Sequence, residues 1–294
     1  MAQSRILGAA REGWSLLRDA FREFQQNDPL RMAAATSFFT SFALPPILII
    51  LIQVLGLFGD SRAIRHGLLE QLSRATDTNI VLQIRTILRN VHLLSMNAGM
   101  RTAGFVFLLF VATTLFEVIK NSMNQLWKIR LKEHQGFAFL LLYRAKSVGI
   151  IVIAGILFSL ALLGDTRGWA FRSFAGGLIY HAAALVAAIS WFILILKYLS
   201  DGRPAWRTAL AGGVFTGLLF MVGEILLHLV FSYDKVKAIY GASTSLVLLL
   251  LFVFYCAFIF YYGACFTAVL AARTKLPILP TRHAMHYEVN GKEA

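Results

Sequence analysis

Charge is scarce in this chain. Of 294 residues only 15% are Asp, Glu, Lys or Arg, against roughly 25% in a globular chain. No polar stretch is long enough to hold the core of a second, water-soluble domain. Cysteine is scarcer still, with two, Cys256 and Cys265, in one apolar run. On a helix that spacing is about 13 Å of rise, too far for a mutual disulfide, so the pair indicates no redox compartment. The signatures of enzymes are missing too: there is no HExxH, CxxC, P-loop, GxSxG or spaced His/Asp metal cluster. The chain is therefore read as a non-enzyme with no cofactor. Without a nucleotide site it is also not expected to drive primary active transport alone. His283 and His286 in the tail form only a weak pair. No basic run with interleaved aromatics occurs, as a single-strand binder needs. Nor is a cleavable signal peptide visible, since the first apolar run begins only after 31 residues and outlasts a signal core.

What is abundant is apolar surface. Hydrophobic residues make up 58% of the chain and mean hydropathy is +0.67. From Ala238 to Ala272 the chain runs 35 residues without a charged side chain. A bilayer core of about 30 Å needs roughly 20 apolar helical residues. Met32–Gly59, Thr102–Phe116, Ser147–Gly164, Ser173–Leu196 and Thr208–Gly223 are uncharged as well. The pattern predicts an all-α integral membrane bundle of six spans, near 33–58, 102–124, 145–165, 175–198, 207–231 and 239–271. Residues 1–30 form an amphipathic arm, 31–272 the membrane domain, and 273–294 a flexible tail. In the arm, Leu7, Ala10, Trp14, Leu17, Phe21 and Phe24 recur at helical spacing with Arg11, Arg18, Arg22 and Glu23 on other faces. That is a surface helix, in the headgroup region or packed under the bundle. Ile80, Ile84, Ile87, Val91 and Leu94 repeat the pattern in the loop after the first span.

Six spans put both termini on one side. The arm, the 125–146 loop, the 199–206 turn with its flanks and the tail share that side, with 17 Lys and Arg against 10 opposite. The positive-inside rule makes it the cytoplasm. The +13 net charge then reflects topology and anionic lipid headgroups, and membrane lipids, not nucleic acid, are the expected partners. Association of like chains stays open. Gly213 and Gly217 form a GxxxG in the fifth span, and Ala182, Ala183, Ala184, Ala187 and Ala188 enrich the fourth. Small residues let helices approach closely, so both helices are expected in the interior. The aromatic residues of the last span, Phe252, Phe254, Tyr255, Phe258, Phe260, Tyr261, Tyr262 and Phe266, suit a lipid-facing helix, or else a groove for acyl chains.

Several polar or helix-disturbing residues lie within the spans. Pro45-Pro46 removes two amide donors from the first span and is expected to kink or break it. Freed carbonyls at that depth belong in a protein-lined or watery cavity, or the kink is static packing. Glu117 and Lys120 stand three apart on the second span, with Asn121 and Asn124 continuing the face. The pair can neutralise itself locally while Lys120 reaches for the interface, or the group can hold a substrate. Glu224 and His228 lie one turn apart in the fifth span, where an ionisable residue is a functional candidate or a satisfied structural hydrogen bond. His181 and Tyr240 are expected at the same depth. No metal site is expected among these residues.

The chain resembles the YihY/BrkB family of bacterial inner-membrane proteins from Phe21 to Ala271. The resemblance rests on Ala33-Ala34-Ala35-Thr36-Ser37-Phe38-Phe39 leading to Leu44-Pro45-Pro46, then Asn124-Gln125-Leu126-Trp127, Ile239-Tyr240-Gly241-Ala242, and Gly263-Ala264. It implies a multi-pass inner-membrane protein. The family once carried a ribonuclease label, which would need metal ligands at an aqueous face that these residues do not supply. Other members are associated with serum resistance or with export of lipid or glycolipid. Two positions depart: Cys265 stands where relatives often have an acid, and Glu224 where they often have a base. The resulting expectation is a transporter of a lipid-like or amphipathic anionic substrate. The rivals are a non-transporting envelope scaffold and, remotely, a membrane-associated nuclease. A transporter should show a cavity reaching Pro45, Glu224 or Asn124. A scaffold should show a filled interior with those groups satisfied.

Overall fold

The computed structural model of the chain describes residues 2–56, 98–132, 174–231 and 244–287. Six helices carry nearly all of it: α1 (Ala2–Gln25), α2 (Pro29–Gly56), α3 (Ala98–Leu126), α4 (Phe174–Tyr198), α5 (Trp206–Phe231) and α6 (Thr244–Arg273). Four short strands complete the order: β1 (Ile129–Leu131), β2 (Gly202–Arg203), β3 (Leu279–Pro280) and β4 (Ala284–His286). The expected spans at 33–58, 102–124, 175–198, 207–231 and 239–271 thus meet helices at nearly the same bounds. The span at 145–165 and most of the amphipathic loop at 59–101 lie outside the described residues. Among the described residues, Trp206–Gly223 and Leu246–Arg273 are long and apolar enough to cross a membrane.

Local chemistry sets the helix ends. Asp28 adopts a left-handed conformation (φ 51°), which closes α1 and hands the chain to Pro29, a residue suited to the first helical position. α6 ends in a Schellman motif, in which Leu276 N donates to Ala271 O (3.0 Å) and Lys275 N to Ala272 O (3.3 Å). Lys275 holds the left-handed position at φ 56°, where glycine is the usual occupant. An L-residue there costs roughly 1–2 kcal/mol. Lys275→Gly is therefore expected to stabilise the fold by about 1 kcal/mol, read as a raised thermal midpoint in detergent.

α6 is the central helix. It packs against α1, α2, α3 and α5, while α4 packs on α5 and α2 on α3. Its aromatics pack between helices, with six of the eight half-buried. Tyr261 and Phe260 are buried, and none of the eight is exposed. Phe258 meets Phe24 of α1 edge-on at 4.8 Å, and Phe266 stacks on Phe215 of α5 at 4.1 Å. Large rings fill the space between α6 and its neighbours because α6 touches four helices at once.

α5 packs tightly on two sides. A Cβ on Gly213 would lie 2.3 Å from Ile193 Cγ1 and 2.9 Å from its backbone nitrogen, and one on Gly217 would lie 2.6 Å from Ile189 Cγ1. The GxxxG face thus fits α4 as expected. On another face Gly212 sits against Thr267 and Gly263 of α6 against Thr216. Each threonine donates to the carbonyl of the glycine one turn before it, at 2.7 and 2.8 Å, so its hydroxyl is satisfied inside the contact. Yet α5 is not wholly interior. Leu210, Val214, Leu218, Val222 and Leu226, spaced by four, are 41–55% exposed. Phe38, Phe42, Phe110, Val186, Leu246 and Leu251 are exposed on other helices. An apolar belt of this kind is unfavourable in water and suits lipid.

Two further expectations change. α2 runs unbroken through Pro45 and Pro46. Two missing donors leave the bonds on either side in place, and breaking more of them in apolar surroundings would cost more. The tail carries two short strands. β4 pairs antiparallel with β1, Leu131 opposite Ala284, and β3 pairs with β2, Gly202 opposite Pro280. Backbone groups of the tail find partners in two turns of the bundle, so the fold is helical with two short ribbons, not purely α. These pairings, with the Lys128–Glu23 ion pair, gather α1, the end of α3, the α4–α5 turn and the tail at one end of the bundle, hereafter the tail end.

Candidate functional site

α3 turns Lys120 and Asn124, one helical turn apart, toward the α4–α5 connection. Lys120 is only 5% exposed and Asp201 only 2%, and Lys120 Nζ lies 3.1 Å from Asp201 Oδ1. Asn124 Nδ2 donates to Asp201 Oδ2 at 2.8 Å. Its Oδ1 accepts from Ser200 Oγ at 2.8 Å and from Asp201 N at 3.0 Å. Ser200 Oγ accepts from Gly202 N at 3.0 Å, and Asp201 O accepts from Thr281 N of the tail at 2.8 Å. Both carboxylate oxygens are thus held, and one buried knot ties α3, the α4–α5 turn and the tail together.

The surroundings explain why the turn can enter the bundle. A Cβ on Gly202 would lie 2.6–2.7 Å from carbons of Trp127, Ile129 and Ile278, so only glycine fits. Trp127 Nε1 donates to Ala264 O at 3.0 Å, linking the end of α3 to α6. Trp127→Phe keeps most of the ring and loses this bond. It is expected to cost about 1 kcal/mol, measured by denaturant unfolding in detergent. Beneath it Thr36 Oγ1 and Tyr261 OH share a hydrogen bond of 2.6 Å, and Ser37 Oγ donates to Leu250 O at 2.6 Å. Arg203 closes the C-terminus of α4, its Nη1 donating to Lys197 O at 2.8 Å, a favourable place for a cation. Burial lowers the Arg203 pKa from its usual value, and Asp201 opposes that shift.

The expected site residues separate. Lys120 and Asn124 come together, but the lysine neither reaches outward nor relies on Glu117 alone. It turns inward to Asp201, with half-buried Glu117 adding a weaker attraction. Asn121 is exposed, because the single residue step from Lys120 turns it about 100° around the helix. Pro45 and Pro46 lie in α2, His181 in α4, Glu224 and His228 in α5. The side chains of all five lie outside the described residues, as does Tyr240 altogether. The pairing of Gly213 with Ile193 and Gly217 with Ile189, continued along two regular helices, sets residue 181 level with Glu224. Gly223 is level with Tyr255, whereas Gly212 meets Thr267. Glu224 and Cys265 are thus about 15 Å apart along the helices and do not face each other. The tail histidines do not pair as ligands: His286 Nε2 bonds to Ile278 O at 2.9 Å.

Asp201 and Ser200 were not legible as site residues. A short Ser-Asp-Gly turn between two spans reads as solvated, and nothing local signals that its carboxylate faces a lysine 81 positions earlier. The motif at Asn124–Trp127 marked one half of the contact.

The chain is similar to known proteins along most of its length. A protein from Chromohalobacter salexigens described as a UPF0761 membrane protein is 26% identical over 269 residues, covering 88% of this chain and 64% of that one. One from Pseudomonas aeruginosa with the same description is 26% identical over 264 residues, covering 86% and 62%. Another from Verminephrobacter eiseniae is 23% identical over 264 residues, covering 87% and 62%. The chain therefore spans less than two thirds of the length of these relatives. No solved structure matches it. The family model described as Virulence factor BrkB matches residues 20–286, which takes in α2 to α6, the knot and both ribbons. The chain is a membrane protein of the Virulence factor BrkB family.

Proposed function

We propose that the protein carries an amphipathic anionic, lipid-like molecule across the membrane, and that the knot at the tail end holds one closed arrangement of the bundle. The observation that carries this reading is the Lys120–Asp201 pair, at 3.1 Å and almost fully buried. An ion pair inside a bundle costs several kcal/mol per charge in desolvation, by order of magnitude. Well-packed apolar residues often do as well for stability. The best-attested use of such a pair is to select one arrangement among alternatives, and a carrier with alternating access needs such a selector. The basic residues of the shared end supply charge for an anionic headgroup.

A scaffold reading has one observation in its favour. Among the described residues the tail end is filled, with Tyr261, Phe24, Met123 and Leu126 wholly buried and Asn124 bonded on both its polar atoms. A nuclease would need a metal-ligand cluster, and no group of three or more His, Cys, Asp or Glu comes together among the described residues.

The test is flux in proteoliposomes with labelled anionic and zwitterionic lipids. The reading predicts transfer of the anionic lipid above protein-free vesicles. It also predicts that Glu224→Gln, at the level of residue 181 on α4, lowers the rate, as expected when an intramembrane carboxylate bears on transport. No transfer of any anionic lipid above the protein-free rate would overturn it.

A further inference from the structure

We propose that the outward face of α1 is a binding site for the phosphate of anionic membrane lipids, built on Arg18 and Arg22 with Phe21 beside them. Arg11, Trp14, Arg18, Phe21, Arg22 and Gln25 fall within an arc of about 100° on the helix, and all six are exposed. The arc is divided. Trp14 and Phe21 occupy one edge, 71% and 44% exposed, and the three arginines occupy the other.

The opposite face is spent on the bundle. Ala20 and Phe24 are fully buried, Phe24 packs on Phe258, and Tyr262 OH donates to Leu17 O at 3.1 Å. The acids of α1 sit on a third flank, about 100° from the arginines, and the bundle takes up two of them. Asp19 pairs with Arg273 of α6, and Glu23 Oε1 lies 3.0 Å from Lys128 Nζ. Arg18 Nε also lies 3.8 Å from Asp19 Oδ1, but that carboxylate is held by Arg273 and the contact is solvent-exposed, so it is weak.

Between the arginines the surface is concave. A cavity of about 340 Å³ is lined by Arg18, Phe21, Arg22 and Gln25. Guanidinium forks one helical turn apart match phosphate oxygens. A tryptophan and a phenylalanine along the same helix suit the boundary between headgroups and acyl chains. An exposed Trp14 has no such match in bulk water. Docked on the last turns of α6, α1 is held at the end of an apolar belt, where headgroups lie. This inference rests on the membrane reading and not on transport.

The test is lipid retention by the full chain, measured by native mass spectrometry from detergent micelles doped with phosphatidylglycerol or phosphatidylcholine. The wild type should retain phosphatidylglycerol preferentially. R18Q/R22Q should reduce that retention on the order of tenfold with an unchanged melting temperature, while the exposed tail variant R282Q keeps it. Equal retention of both lipids by the wild type would overturn the proposal. So would full retention by R18Q/R22Q, or displacement of the lipid by millimolar inorganic phosphate. Failure of the flux experiment with this retention pattern intact would remove the transport reading alone. Flux without the pattern would remove the headgroup site alone.

Discussion

Lys120→Met is expected to destabilise the protein by about 3–5 kcal/mol, because it leaves the Asp201 carboxylate buried and uncompensated. Asp201 cannot turn to water. It is 2% exposed, its second oxygen is held by Asn124, and its backbone is held by the tail through Thr281. Adding Asp201→Asn removes the stranded charge and keeps an acceptor for Asn124 Nδ2. The double variant should therefore recover most of the loss, with a coupling between the two sites of about 2–3 kcal/mol. Denaturant unfolding in detergent of the wild type, both single variants and the double variant measures it. Additive losses would mean that the two side chains do not share a contact.

Gly213→Leu is expected to cost about 3 kcal/mol or more, the upper range for overpacking. The obstacle is backbone. A Cβ at Gly213 meets Ile193 Cγ1 at 2.3 Å, but also its nitrogen at 2.9 Å and its Cα at 3.0 Å. A side chain could rotate aside, whereas a helix must move away bodily and lose the neighbouring contact at Gly217. Gly223→Ala makes the contrast. The three atoms nearest its Cβ would be the hydroxyl and two ring carbons of Tyr255, all on one side chain and none on a backbone. Its loss should be clearly smaller on the same denaturant scale. Equal losses at Gly213 and Gly223 would show that α4 and α5 are not in the register described.

The helices were legible because apolar length is a strong signal where the solvent is lipid. Runs near 33–58 and 239–271 become α2 and α6 with ends shifted by a few residues, and the glycine pair of α5 finds α4 as small residues do. Which way each helix faces was less legible. The hydrophobic pattern of a membrane helix does not separate the side touching lipid from the side touching protein, since both are apolar. Hence the sequence does not disclose that Phe260 and Tyr261 of α6 are buried in the bundle, and α5 reads as interior although Leu210 to Val222 line its outside. The polar knot was half legible. Lys120 and Asn124 stood out as charge and amide within a span. Their partner sits in a turn, and a turn's sequence does not disclose that it folds inward. That depends on Gly202 meeting Trp127, Ile129 and Ile278, residues brought together only by the fold. The strands of the tail were not legible at all. Two or three residues carry too little alternation to register, and their partners lie in two separate turns.

The tail is laced onto the turn after α3 by the pairing of β4 with β1. Leu131 and Ala284 stand opposite each other in that ribbon. In a full-length chain cleared of its two native cysteines, Leu131→Cys with Ala284→Cys should form an intramolecular disulfide in membranes under mild oxidation. Thiols at this pair that stay reduced, while the protein remains folded and membrane-inserted, would contradict that pairing.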